Sequence, residues 1–582
     1  MLQNAYNVGM YVAVVPNRNS KPTYLLRESY REGGKVKNRT LANLSRLPME
    51  KIALIDRVLK GHQLVPLEEA LRITRSVPHG HVEAVLRMIE HLQIPRLLAC
   101  RRSRERDLIV ALIVQRIVHP SSKLAATRLW KQSTLAEELG VTDADVDEVY
   151  GALDWLLARQ RRIENKLARR HLRDGQRVLY DVSSSSYTGR TCVLACYGHN
   201  RDGRRDLPCI VYGVMTDGEG CPLAVDVYAG NTADPSTLPD QVEKLKSRFG
   251  MKEVVVVGDR GLLTQAQIES LRRRPGIGWL STLRSEGVRE LVEKGYVERS
   301  LFDERNLAEI RSPDFPGERL VACYNPLLAE RRERKREELL AATEERFARI
   351  AAEVGRRKKK PLSSEEIGVK VGRVLNKYKV GKHFELTIED NHFAWRRREE
   401  SIQREAALDG IYVVRTSEPA ERLPAEDAVR QYKQLADVEQ AFRSLKSLEL
   451  LVRPIHHRLA ERVRAHVFVC LLAYYVQWHL KRAWSPLLFA DEHLREHRAE
   501  RDPVAPAKPA EALCRKKAAR RTPDGNALQS FRTLLSELAT RCRNTCEFGA
   551  GGTAIRYTRL TEPTPLQAEA FRLLEKACSQ QR

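Results

Sequence analysis

Between Arg177 and Arg284 the apolar pattern changes in a way that few folds can satisfy. RVLYDVSSSSY, LPCIVYGVMT and CPLAVDVYAG are three β-rich runs separated by loops, the last two flanking the turn DGEG. PSTLPDQVEKLKSRFG then reads as a helix, EVVVVGD as a buried strand, LTQAQIESLRRR as a helix and GIGWLSTLR as another strand. The order β-β-β-α-β-α-β calls for a mixed sheet with helices on both faces.

That order is expected of an α/β, RNase H-like catalytic core, here read as residues 174–284. A large insertion at 285–408 follows, with a charged helical arm around NPLLAERRERKREELLAATEERFARIAAEVGRRKKK and a hairpin-like FELTIEDNHFAWRR. GIYVVRT resumes the strand pattern, so 409–485 is the second part of the core and carries the helix of the third carboxylate discussed below. Ahead of the core, residues 1–47 read as a basic β-ribbon and 48–173 as a mainly helical amino-terminal domain, suited to DNA binding. Residues 486–582 read as a linker and a helical carboxy-terminal tail.

The charge balance narrows the partner. Of 582 residues, 100 are Lys or Arg and 76 are Asp or Glu, a formal net charge of +24 that points to nucleic acid. The basic residues cluster at Arg272 to Arg274 and in RRERKR, RRKKK, RRR and RKKAARR. Each cluster alone reads equally as a solvated helix face. Eleven cysteines show no disulfide framework, and MLQNAYNVGMYVAVVPN lacks the pattern of a secretion signal. The longest apolar run, HVFVCLLAYYVQWHL, is shorter than the roughly 20 residues of a membrane span. A reducing cytoplasm, with no membrane partner, is the expected setting. Cys192 and Cys196, Cys542 and Cys546, and the adjacent His456 and His457 lack complementary ligands and are not read as zinc sites.

Three carboxylates are candidates for metal-assisted chemistry. Asp181 follows the apolar strand residues Val178, Leu179 and Tyr180, and Asp259 ends VVVVG where the chain leaves a buried strand. Carboxylates at such positions converge when their strands are neighbours. In YKQLADVEQAFRSLK, steps of seven bring Tyr432 and Lys446 to within roughly 20° of Glu439 on one helical stripe, with Arg443 about 40° aside. Leu435, Val438, Phe442 and Leu445 form the apolar flank. By itself the Glu439–Arg443 spacing is that of an ordinary surface ion pair. Asp202, Asp206, Asp217, Asp226 and Asp234 lie in the same region, and periodicity does not choose among these acids.

The ordered set YDVSSSSY, YGHNRDGRRDLP, AGNTADPSTL, VVVGDRGL and YKQLADVEQAFRSLK resembles the DDE transposases of bacterial insertion sequences. The likeness is to the IS-four superfamily with its Tyr-Arg-Glu-Lys signature, in the IS sixteen-thirty-four branch, and it spans about Val178 to Leu451. It implies that Asp181, Asp259 and Glu439 are the catalytic, metal-binding triad, holding Mg²⁺, with Mn²⁺ as a substitute and two ions in the site. Tyr432 and Lys446 take the outer signature positions and are implied to bind DNA. The signature arginine falls on Leu435, and Arg443 is the expected replacement; Asn231 and Asp234 match a supporting segment. Implied further are cleavage at the terminal inverted repeats, by a route that can include a hairpin, and strand transfer into target DNA. A homodimer or larger assembly in the bacterial cytoplasm, associated with the nucleoid, is implied too. The rival readings are an RNase H-like DNA nuclease without joining activity and a catalytically inactive DNA-binding regulator.

Overall fold

The computed structural model describes residues 9–18, 20–62, 71–506, 508–548 and 555–580. Residues 1–8, part of the stretch read for a secretion signal, and residues 63–70 of the expected helical domain lie outside them. Two compact units emerge: Met1–Val77 with Cys542–Thr561, and Pro78–Arg541 with Glu562–Arg582.

The first unit is largely β. Strands Met10–Val15, Thr23–Glu32 and Lys35–Asn43 pair antiparallel in sequence order, as the ribbon reading expects. A second sheet joins Leu71–Pro78 to the hairpin Cys542–Phe548 and Ile555–Leu560. The stretch 71–78 was expected within a helical region and 542–560 within a helical tail, and both are corrected here. LRITRSV finds its partner, CRNTCEF, across most of the chain, beyond the reach of a local pattern, whereas CRNTCEF and IRYTRL pair as a local hairpin.

The second unit is built on an eight-stranded mixed sheet. Its strands are β1 (Arg177–Ser186), β2 (Cys209–Asp217), β3 (Pro222–Ala229), β4 (Val254–Val257), β5 (Ile277–Thr282), β6 (Leu307–Ile310), β7 (Arg319–Tyr324) and β8 (Ile411–Thr416). Across the sheet they run β6-β7-β8-β5-β4-β1-β2-β3. β1, β4 and β5 are parallel, and every other neighbouring pair is antiparallel. All four valines of β4 are buried, which is why VVVV does not alternate: helices cover both of its faces.

On one face Leu179, Val255, Val257, Tyr212 and Val414 join the core that includes helices Leu435–Lys446 and Ala460–Ala483. On the other, Val178, Tyr180, Val256 and Trp279 pack with Leu238 and Ile268 of helices Asp234–Glu243 and Gln265–Arg272. The amino-terminal helices Gly80–His91, Arg104–Val118 and Val146–Leu157 contribute to the first of these cores. Among the described residues no single helix is long and apolar enough to cross a membrane.

The expected interruption of the sheet at 285 starts too early. β6 and β7 extend the sheet beyond β8, because RLVACY is an apolar run that pairs antiparallel with IYVVRT. The departure from the sheet comes after Tyr324, in the helix Pro326–Arg356, the helix Ser364–Tyr378 and the hairpin Phe384–Glu389 with His392–Arg397. Phe347, Phe384, Phe393 and Trp395 give this part its own small core.

The stretch Tyr432–Lys446 is not one helix. Ala425–Lys433 ends and Leu435–Lys446 begins at Gln434. The turn there tightens, with Gln434 N–H donating to the Gln431 carbonyl at 3.1 Å and Asp437 N–H to the Gln434 carbonyl at 2.8 Å, three-residue spacings instead of four. Tyr432 therefore belongs to the preceding helix, and the seven-residue step to Glu439 crosses a break.

Candidate active site

Sheet register brings the first two carboxylates together. Leu179 pairs with Val257 across the parallel strands β1 and β4, so Asp181 and Asp259 each lie two residues beyond a paired position. Side chains two apart share a face and neighbouring strands are about 5 Å apart, which sets the two carboxyls side by side. Leu179 and Val257 point toward the core of helix Leu435–Lys446; Asp181, two residues on in β1, shares the Leu179 face, and Asp259, just past the end of β4, is close enough to act on the Asp181 charge. The helix packs on β1 through Leu435, Val438, Ala441, Phe442 and Leu445, with the Phe442 ring 5.9 Å from that of Tyr212. Glu439 stands on its exposed edge. Burial of Phe442 contributes roughly 2–3 kcal/mol to holding the helix there.

The electrostatics register the convergence. Burial pushes the Asp181 carboxyl up to about 7, the Val182 N–H opposes, Asp259 adds, Arg201 opposes and Glu439 adds. Asp181 Oδ1 accepts the Val182 N–H at 2.7 Å. Asp259 Oδ1 accepts the N–H groups of Gly261 at 3.1 Å and Leu262 at 2.7 Å, so the loop DRGL fixes this side chain through its own backbone. An acidic cluster with one member already disfavoured as an anion suits a hard divalent cation bound through oxygen.

The other sequence candidates occupy different situations. The Tyr432 hydroxyl is half-buried and accepts a hydrogen bond from Thr282 Oγ1 at 3.0 Å. Burial raises its pKa, the Thr282 bond opposes, and Asp259 and Glu439 add to the rise, so Tyr432 lies next to the acids. Arg443 is exposed on the groove beside Glu439. The Lys446 ammonium is already engaged, donating to the Ser184 carbonyl at 2.5 Å and to Asp202 at 3.2 Å. Leu435 is buried in the core, so the signature arginine position faces away from any ligand. Asp234 pairs with Arg201.

The loop from Tyr197 to Pro208 holds groups that sequence reasoning missed. Ser184 Oγ donates to the His199 carbonyl and accepts the Arg201 N–H, both at 2.9 Å, and Ser186 N–H donates to Asp202 Oδ2 at 2.8 Å. The serine run of β1 is polar because this loop, and not an apolar helix, lies over it. Gly198 and Gly230 make the fit possible: a Cβ on Gly198 would lie 2.0 Å from the Gly230 carbonyl oxygen. The loop delivers Arg201 and Asp202 to the groove, where Asp202 also holds Arg453 at 2.5 Å. One Arg201 guanidinium nitrogen, Nη1, is buried and has no hydrogen-bond partner among the described residues. YGHNRDGRRDLP was the available signal, but its several cations left the relevant one unspecified.

Comparison with known proteins agrees with the geometry. No curated protein matches the chain. One solved structure, "Cryo-EM structure of piggyBac transposase synaptic complex with hairpin DNA (SNHP)", aligns over 76% of this chain and 85% of its own. At 11% identity and a TM-score of 0.24 that likeness carries no residue assignment. Of the family models, "IS1634 family transposase, N-terminal domain" matches residues 12–66. "Transposase DDE domain" matches 190–476, a span that begins just past Asp181 and takes in Asp259 and Glu439. With one match naming the branch and the other the catalytic domain, in chain order, the chain belongs to the DDE transposases of the IS1634 family.

Proposed function

We propose that Asp181, Asp259 and Glu439 are the acids with which this transposase cuts the ends of its element and joins them to target DNA, on an RNase H-like core. The observation that carries the reading is the β1–β4 register, which sets Asp181 level with Asp259 beneath the helix bearing Glu439. The strand order β3-β2-β1-β4-β5, with β2 alone antiparallel to the others, supports the RNase H-like assignment.

A DDE transposase depends on divalent metal and acts on DNA. The three carboxylates offer the oxygen donors that two Mg²⁺ ions, or Mn²⁺, require, and metal bound there supplies charge stabilisation for phosphodiester displacement and acidifies the attacking hydroxyl. The chain's own residues do the rest. Asp181 must lose its proton to take part, and the backbone N–H groups of Gly261 and Leu262 keep Asp259 oriented. Arg201, partly exposed in the groove, and the exposed Arg443 would hold a DNA phosphate beside the acids. Lys446 and Asp202 fix the groove wall, from which Lys446 reaches DNA only by exchanging its present partners. Tyr432, held by Thr282, limits where a strand lies over Asp259. The amino-terminal unit, with strand Lys35–Asn43 exposed along its length, suits recognition of the terminal inverted repeats. Assembly as a homodimer or larger on paired ends, in the bacterial cytoplasm, completes the reading.

The test is an end-cleavage and joining assay with labelled element ends, a target plasmid and Mg²⁺. Asp259→Asn or Glu439→Gln should abolish both products while sparing end binding; cutting at the wild-type rate by either variant removes the site assignment. Cleaved ends without joined molecules would favour the nuclease reading.

A further inference from the structure

Away from the groove, at the amino-terminal end of β1, three more ligand-type side chains meet. They are His171, the last residue of helix Gln160–His171; Cys221, in the turn leading into β3; and His479, in helix Ala460–Ala483. A ligand atom of each lies within 4.8 Å of both others. None of these residues lines the catalytic groove.

The surroundings arrange them as ligands. Cys221 is fully buried. Nε2 of His479 is buried with no hydrogen-bond partner among the described residues, an arrangement that costs free energy unless something occupies it. His171 bonds Tyr475 Oη through Nε2 at 2.9 Å, which fixes the ring and leaves Nδ1 free. That nitrogen is 3.8 Å from Asp217 Oδ2. Asp217 spends Oδ1 on the N–H groups of Glu219 and Cys221, at 2.8 and 2.9 Å, so this carboxylate shapes the turn that carries Cys221; its Oδ2 stands outside the three-residue cluster and joins it as a fourth donor by a small shift of the side chain. Arg170, Arg173 and Arg482 add positive charge around the cluster. A thiolate and a carboxylate would balance a dication there.

We propose that His171, Cys221, His479 and Asp217 bind one structural Zn²⁺. Two nitrogens, a sulfur and an oxygen in a closed set of four suit zinc and not magnesium, which takes oxygen donors. The site cross-links the helical amino-terminal region, the β2–β3 turn and helix Ala460–Ala483. Its ligands are far apart in sequence, so metal binding is coupled to folding of the second unit.

The experiment uses full-length protein purified without chelator, as wild type and Asp259→Asn. Expected is about one zinc per chain in both, and, after exchange to Co²⁺, a thiolate charge-transfer band with the intense visible bands of tetrahedral cobalt. Cys221→Ser should lose the charge-transfer band, and His479→Gln should weaken zinc retention by about tenfold or more. Zinc well below stoichiometry, or a Co²⁺ spectrum of the wild type without a thiolate band, would overturn the proposal. The wild-type spectrum decides even if both variants fail to fold. Because Asp259→Asn retains the zinc ligands, the result is independent of the catalytic assignment.

Discussion

Asp181 makes the reading of the active site quantitative. Its carboxyl, near 3.8 in ordinary surroundings, is held at about 7, so roughly half the molecules carry a proton there at neutral pH. A divalent cation that binds the carboxylate must displace that proton, and apparent affinity follows the ionised fraction. That fraction is about one-eleventh at pH 6 and about ten-elevenths at pH 8, a tenfold rise in affinity over the interval. Titration with Mn²⁺, following the free ion by electron paramagnetic resonance, measures it directly. The same shift predicts the stability of the metal-free protein. Because the folded pKa exceeds the unfolded one, the Asp181 contribution is fully present below about pH 4 and is lost as pH rises through about 7. The shift corresponds to at most about 4 kcal/mol, and part exposure of the side chain reduces this to about 2. Asp181→Asn should therefore bind Mn²⁺ weakly and without pH dependence, match the wild type in denaturant resistance at pH 4, and exceed it at pH 8. A wild-type Mn²⁺ affinity constant within about twofold between pH 6 and 8 would refute a buried, proton-holding Asp181 as a ligand of that ion.

Other perturbations separate the supporting structure from the chemistry. Glu318, buried between Arg415 at 2.5 Å and Arg272 at 2.6 Å, holds β7 and β8 to helix Gln265–Arg272. Glu318→Gln should cost about 3–5 kcal/mol in urea unfolding, because a buried guanidinium loses its counter-charge. Gly230→Ala forces a Cβ to within 2.0 Å of the Cys209 carbonyl oxygen, and should lower cleavage sharply while leaving Mn²⁺ affinity at pH 8 within a few-fold, since none of the three acids lies on the loop it disturbs. Arg201→Ala should lower kcat/KM by about ten- to a hundredfold, the worth of a charged hydrogen bond to phosphate. The same variant should raise the Asp181 pKa, visible as a Mn²⁺ affinity curve displaced to higher pH, because the Arg201 charge now opposes that rise.

The heart of the sheet was readable because its signals are local. Alternation and apolar runs mark β1 to β5 and the helices among them; Asp259 is visible as an acid just past a strand end, whereas Asp181, expected at one, sits in the middle of β1 because the serine run continues the strand. Long-range pairing is what the pattern hides. RLVACY reads like any buried strand, and only its register with IYVVRT shows that the sheet continues past residue 285. LRITRSV pairs with CRNTCEF, more than 400 residues away. The break at Gln434 is hidden for another reason: neither Gly nor Pro marks it, and the spacing of apolar residues survives it. Basic clusters mislead in the same way, since Arg272 and Arg397 are consumed by Glu318, Glu337 and Glu344 instead of facing a ligand.

On the reading proposed above, the site keeps a cation near the acids although Leu435 stands at the signature arginine position. Leu435 is buried because helix Leu435–Lys446 starts there, after the tightened turn, and its first residue faces the core. An arginine at that point would bury a guanidinium without a counter-charge, at a cost of several kcal/mol. The compensating charge comes from a loop. Arg201 reaches the groove because Ser184 accepts its backbone N–H, while Asp234 holds one end of its guanidinium and leaves Nη1 unpartnered among the described residues. A cation on a helix is positioned by that helix alone, whereas Arg201 is positioned by the strand that also carries Asp181, three residues before Ser184. Any shift of β1 then moves the acid and the phosphate-binding group together, so their spacing survives small displacements of helix Leu435–Lys446 against the sheet.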